Sequence, residues 1–256
     1  MYPSPLSSFT AIKKTLLFLP LVGLLSACGS DNDNDNDNIK TDPNTKVVYF
    51  DFNESITGWQ TGFADYPAGQ ETFYELGSSH ANLPAALNPN YKGLKVTGNN
   101  HSDDLFMFIT KQVDGLEPNT RYSFRFKVNF GTNAQNNCVG IGGSPGNSVW
   151  IKVGATKNEP KAVNDGTGFL LLNLDKGNQA TGGSDAIVAG DFANAQECET
   201  TSAAPYLKKT LLTEKGSYNT VSDEKGSVWL LLSTDSGFEG TTTIYFMDLE
   251  VAATKL

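Results

Sequence analysis

GLEPNTRYSFRFKVNF, residues 115–130, is the stretch that decides the fold. Pro118 and Asn119 mark a turn, because proline presets one backbone angle and asparagine tolerates the left-handed conformation that a reversal needs. Beyond the turn, Tyr122, Phe124, Phe126, Val128 and Phe130 alternate with Arg121, Ser123, Arg125, Lys127 and Asn129. Successive side chains of a strand point to opposite faces, so this period of two puts five apolar groups on one side and the charges on the other. The stretch reads as a half-buried strand with its apolar face against a core.

Outward from it, strand and turn signals recur at short intervals. Leu105–Val113 is apolar and long enough for a buried strand, and Asp114-Gly115 ends it with a turn. The β-rich run VVYFDF at 47–52 opens the folded part, and 148–153, 169–174, 185–189, 206–212, 227–233 and 241–251 are further strand candidates. No segment sustains an apolar stripe of period 3.6, so helix is expected only in short turns. A dozen or so short strands separated by Gly and Asn turns predict an all-β chain, an antiparallel β-sandwich in a single domain over 46–256. The 25 Gly, 15 Phe and 9 Tyr, with only 18% charged residues, agree with a turn-rich β protein.

The N-terminal residues have a different character. Lys13 and Lys14 precede a short apolar run, 15–25, which ends in Leu25-Ser26-Ala27-Cys28. That run is too short to span a bilayer, which takes about 20 residues. The four residues resemble the lipobox of bacterial lipoproteins. The resemblance implies cleavage before Cys28 and a diacylglycerol on its thiol, so that 1–27 is a signal peptide and the membrane is a partner through a lipid anchor. In that family an Asp directly after the cysteine favours the inner membrane; Gly29 stands here, which places the expected anchor in the outer membrane of a two-membrane cell. Residues 28–45 then form a linker. Its four Asp-Asn pairs at 31–38 hold no apolar group and should stay solvated.

Lys13 and Lys14 leave with the signal peptide, so 17 basic residues face 28 acidic ones, a formal charge of −11. Such a surface repels phosphates, and no basic cluster offsets it, which excludes nucleic acid as a partner. An exported chain meets an oxidising compartment, so Cys138 and Cys198, the two cysteines left after Cys28, are predicted to pair.

A second resemblance rests on GLEPNTRYSFRFKVNF, on TTTIYFMDLEV at 241–251 and on YFDFNESITGWQ at 49–60. These are similar to strands of the jelly-roll domains typified by carbohydrate-binding modules, with a galactose-binding-like sandwich. GNNHSDDLFMF, GIGGSPG, DKGNQATGGSDA and TDSGFEGTTT are also similar to stretches of a group of uncharacterised bacterial lipoproteins. The jelly-roll likeness implies a structural calcium near the first and last strands, which falls on Asp51 and Asp248. The alternative is that both are solvent-facing strand residues. Asp175, Asn178 and Asp185 form a weaker cation candidate.

For ligand binding, Trp59, Phe63 and Tyr66 lie in the turn-rich GWQTGFADYPAG and are read either as a platform for sugar rings or as core. Trp150 and Trp229 sit in apolar runs and are expected inside. His101, Asp103 and Asp104 gather in one polar loop, a binding-site candidate whose plainer reading is a set of turn-stabilising side chains. GGSPG at 142–146 satisfies G-x-S-x-G but not its mechanism, because Pro145 has no backbone N–H to give an oxyanion. The expected function is a membrane-anchored, non-catalytic module, with a glycan as ligand. Two alternatives stand beside it: glycoside cleavage by Asp103 or Asp104 with Asp235 or Glu239, whose carboxyls must lie about 5–10 Å apart, and a protein-binding surface module.

Overall fold

The computed structural model describes residues 42–199 and 204–256. Cys28 and the Asp-Asn pairs of the linker lie outside those residues. β7 (Arg121–Thr132) is the alternating strand of the sequence reading, with Tyr122, Phe124, Phe126, Val128 and Phe130 all buried. It sits inside a seven-stranded antiparallel sheet with β1 (Thr45–Asp51), β4 (Gly77–Asn82), β5 (Lys92–Asn99), β12 (Leu207–Leu212), β13 (Tyr218–Val221) and β15 (Thr241–Lys255). The order is β12-β7-β15-β5-β4; β13 pairs with β7, and β1 pairs with β15. β15 is long enough to take β5 along 241–246 and β1 along 248–254 on one edge, while β7 holds the other.

The opposing sheet has five antiparallel strands, β2 (Gln60–Ala64), β6 (Leu105–Val113), β8 (Val149–Thr156), β11 (Ile187–Asp191) and β14 (Val228–Ser236), in the order β11-β8-β14-β6-β2. Between the sheets lies the main core, where Phe124, Phe126 and Phe130 pack with Met107, Ile109, Ile151, Leu230, Leu232 and Leu249. Full burial of one such side chain stabilises by roughly 1.5–3 kcal/mol, which holds the sheets face to face. The architecture is an all-β antiparallel sandwich of jelly-roll type.

β4 and β5 are among the strands that were not visible in the sequence. β4, GSSHAN, is a polar edge, and β5, KGLKVTGN, carries two glycines that read as turns. Both glycines are required by close approach. A Cβ on Gly93 would lie 2.8 Å from the carbonyl oxygen of Phe246 on β15, and one on Gly98 2.8 Å from the Leu105 side chain.

The chain between β8 and β11 folds back over the outer face of the five-stranded sheet. It contributes β9 (Ala162–Asn164) and β10 (Phe169–Leu172), which join β3 (Tyr66–Pro67) in a small third sheet. Phe106, Phe108, Leu231, Ala64, Leu172 and Ala186 form a second apolar layer there. That cover turns an outer sheet face into an interior.

β15 also gives the domain two distinct ends. Thr45, where β1 starts, pairs with Thr254, whereas Thr241 pairs with Asn99. At the Thr241 end the loops interlock: the side-chain amide of Asn100 donates to the carbonyls of Ser236 (2.8 Å) and Phe238 (3.0 Å), Gly237 N–H to Ser148, and Glu239 N–H to Ile141. Cys138 and Cys198 are joined in a disulfide across a sequence separation of 60.

Candidate functional site

Two clefts of equal size flank the sandwich. The first opens on the outer face of the seven-stranded sheet, a groove of about 290 Å3 lined by Tyr49, Asp51, Asn53, Leu83, Leu87, Asn88, Tyr91, Lys92, Met247 and Asp248. Val48 and Phe50 on β1 pack against the core, so period two turns Tyr49 and Asp51 outward. Asp51 stands directly opposite Asp248 in the β1–β15 register, and paired residues share a face. The two residues named from the sequence are therefore brought together.

Asp51 accepts the Asn53 N–H at 2.8 Å, and Asp248 accepts the Asn129 side-chain amide at 2.6 Å. Burial raises the Asp248 carboxyl above its ordinary value, and Asp51 adds to this while Asn129, Lys208 and Lys127 oppose it. The Tyr49 phenol is raised by burial and then by Asp248 and Asp51. Tyr49 is nonetheless 58% exposed, and Tyr91 is 51% exposed. An aromatic face open to water beside carboxylates and amides offers stacking and hydrogen bonding at once.

The second cleft, also about 290 Å3, lies on the other side, where Asp65, Asp104, Leu171, Leu172, Leu174, Asp175, Lys176, Gly177 and Asn178 line it. Beneath it is a buried charge cluster. Lys152 on β8 pairs in register with Ser233 on β14, so Asp235 is its diagonal neighbour on the same face. Both side chains are sealed from water, with Lys152 Nζ 2.7 Å from Asp235 Oδ2. The same ammonium donates to the carbonyls of Lys176 (2.8 Å) and Thr181 (3.0 Å). Lys176 Nζ reaches Asp235 Oδ2 at 3.1 Å and Asp65 Oδ2 at 2.9 Å, and lies 4.9 Å from the centre of the Phe106 ring. The contact with Asp65 is a charge contact without hydrogen-bond alignment.

One oxygen each of Asp65, Asp104 and Asp235 lies within 4.8 Å of the others. Burial, the largest influence, would raise Asp235, but Lys176 and Lys152 outweigh it and hold its carboxyl below the ordinary value. Asp65 goes the other way, raised by burial against the pull of Lys176. Burial lowers Lys176, but Asp235, Asp65 and Asp104 more than restore it, whereas burial wins at Lys152. Asp104, at the cleft wall, is pushed up to about 7 by burial against the pull of Lys176, with Asp235 and Asp65 adding to the rise.

The other candidates fall as follows. His101 is exposed and stacks on Phe73, with centroids 4.2 Å apart at 25°. Asp103 is exposed, with its carbonyl accepting the Gln179 side-chain amide at 2.9 Å. Trp59, Phe63 and Tyr66 form no exposed platform: Trp59 meets Phe50 and Phe52 edge-on at 5.2 and 5.1 Å, Phe63 packs on the core, and Tyr66 is buried. Trp150 and Trp229 share the outward parity of Lys152 and Leu231, so they are half-exposed on the outer face of the five-stranded sheet instead of in the core. Ser144 caps its own turn, its hydroxyl accepting the Asn147 N–H at 3.2 Å. Asp104 and Asp235 do meet, but Asp235 is sealed, so they do not flank a space where a glycosidic bond could sit.

Sequence reasoning missed Tyr49, Tyr91, Asp65, Lys152 and Lys176. Lys152 carried a signal: it interrupts the apolar β8 run VWIKVGAT on its outward parity.

No protein-family model matches the chain, and no curated protein matches it. Among solved structures, the chain is similar to the K1 cleaved adhesin domain of Lys-gingipain from Porphyromonas gingivalis, at 13% identity and a TM-score of 0.38 over 80% of this chain and 97% of that one. It is also similar to the module TmCBM61, solved with β-1,4-galactotriose, at 10% identity and a TM-score of 0.34 over 77% and 89%. A third likeness is to the mannan-recognising carbohydrate-binding module TmCBM27, at 9% identity and a TM-score of 0.35 over 81% and 97%.

Proposed function

We propose that the protein is a lipid-anchored envelope protein whose sandwich binds a neutral glycan in the Tyr49–Tyr91 groove without cleaving it. One observation carries this reading: two exposed tyrosine rings line a groove of about 290 Å3 that also presents Asp51, Asn53, Asn88 and Asp248. Rings of that kind take the C–H face of a sugar, and the amides and carboxylates take its hydroxyls. Lys92 lines the same groove, and Lys127 and Lys208 act on Asp248, so the acidic pair is offset and an uncharged ligand suits it best. The sealed position of Asp235 argues for binding over glycoside cleavage.

The test is an array of neutral, acidic and amino glycans probed with full-length protein in detergent. Retention of a neutral oligosaccharide, lost in Tyr49→Ala and Tyr91→Ala, is expected; absence of binding to every glycan would reject the reading. The anchor rests on Leu25-Ser26-Ala27-Cys28. Cys28→Ser should abolish incorporation of a labelled fatty acid, and label retained in that variant would exclude Cys28 as the acylated residue. Gly29 favours the outer membrane where a cell has two.

A second reading of the groove is supported by the direct opposition of Asp51 and Asp248. Two carboxylates with the oxygens of Asn53 and Asn88 nearby are the hard donors that a calcium ion takes. Added calcium should then raise the melting temperature by mass action, and Asp248→Ala should remove the response. An unchanged wild-type melting temperature would eliminate this site.

A further inference from the structure

The cluster has three carboxyl groups and two ammonium groups, one negative charge in excess, and only Asp104, whose side chain is 38% exposed, stands partly in water. Its donors all converge on one atom: Asp235 Oδ2 takes Lys152 Nζ at 2.7 Å, Lys176 Nζ at 3.1 Å and the Gln179 N–H at 3.0 Å. Asp235 Oδ1, on the same sealed side chain, has no partner, and Asp104 Oδ1 is likewise buried and partnerless. One oxygen of each lies within 4.8 Å of the other. Two carboxylates this close repel one another, and a proton held on Asp104 brings the cluster to neutrality and supplies a donor where both acceptors lack one.

We infer that Asp104 and Asp235 share one proton, which latches the loop at 100–104 onto β14 and the turn at 175–179 as a pH-sensitive catch at the mouth of the second cleft. The loop is also tied to the turn by the Gln179 amide on the Asp103 carbonyl, and to the β2–β3 junction by the Ser102 hydroxyl on the Asp65 carbonyl at 3.3 Å. Those bonds do not titrate, so the shared proton is the variable element. The charged groups facing Asp104 come from every neighbouring element. Asp235 lies on β14 with Lys152 of β8 behind it, and Asp65 on the β2–β3 junction. Lys176 Nζ is 4.0 Å away on the turn, and Asp175 stands in the cleft wall. A metal ion is not needed to balance the three carboxylates, because Lys176 Nζ already lies 2.9, 3.1 and 4.0 Å from one oxygen of each.

The sign of the effect follows from the direction of the shift. Asp104 binds its proton with a value of about 7 in the fold, against roughly 3.9 in an unfolded chain. The stability it contributes is complete below the unfolded value and is lost as pH rises through the folded one. Asp235, with its lowered value, behaves oppositely and gives way only when pH falls through its own folded value. The catch is therefore closed in mildly acidic solution and open above neutrality.

Carboxyl-carbon NMR on the full-length protein in detergent, with labelled aspartate, reads the proton directly. An Asp104 resonance with its midpoint near 7 is expected, and a midpoint near 4 would overturn the inference. Asp104→Asn carries a permanent donor in place of the proton. The wild-type melting temperature should fall between pH 5 and pH 8, whereas that of Asp104→Asn should stay level and exceed the wild type at pH 8. Equal pH slopes in the two proteins would also overturn it.

Discussion

Both clefts are about 290 Å3 and both are walled by aspartates, yet their charges are answered differently. Under the second cleft, Lys152 and Lys176 reach the carboxylates from within, at 2.7–3.1 Å, and the oxygens they satisfy are not available to a ligand. In the groove on the seven-stranded sheet, Asp51 faces Asp248, and among the described residues neither has a lysine or arginine within 4.0 Å. Tyrosine rings stand open beside them. The position of the counter-charge separates a carboxylate that organises loops from one that can receive something from solution.

The largest expected effect breaks the first half of that contrast. Lys152→Met keeps the stem but removes the ammonium, leaving the sealed Asp235 short of its nearest cation. The variant should lose about 3–5 kcal/mol in chemical denaturation. A loss under about 1 kcal/mol, the scale of an exposed ion pair, would mean that the cluster is not an interior.

Next in size is Trp59→Ala, which removes an indole wedged against Phe50 and Phe52. It should cost about 3 kcal/mol and leave glycan affinity unchanged at a temperature where the variant is folded. Tyr49→Ala sharpens the contrast from the other side, with stability within about 0.5 kcal/mol of wild type and glycan affinity down about tenfold in calorimetry. If the two variants exchange these outcomes, the core and the binding surface have been assigned the wrong way round. The smallest effect is expected of Asp51→Asn, which relieves a like-charge pair across two strands and should stabilise by about 0.2–1 kcal/mol. A lower melting temperature in that variant would indicate that the pair is held by a cation.

The groove was half legible beforehand. Asp51 and Asp248 could be named because the jelly-roll likeness implies a calcium near the first and last strands. Tyr49 and Tyr91 could not, since Tyr91 reaches the groove from the connection between β4 and β5, and β4 and β5 were themselves hidden by their polar and glycine residues. The turn residues around Trp59 are compatible with a platform or with the core, because they describe the backbone and not where a ring packs.

The sequence by itself determined the period-two pattern of β7, the run of β6, the absence of helical stripes and the pairing of Cys138 with Cys198, and these sufficed for an antiparallel sandwich. Each is a local property or, for the cysteines, follows from the compartment that the lipobox likeness implies. The charge cluster is neither. Lys152 and Asp235 sit 83 positions apart on neighbouring strands, Asp65 and Lys176 come from two loops, and the chain at 157–186 must fold over the sheet before any of them is buried. Only the tertiary structure decides that, because a side chain's solvation is set by what covers it, and here the cover comes from elsewhere in the chain.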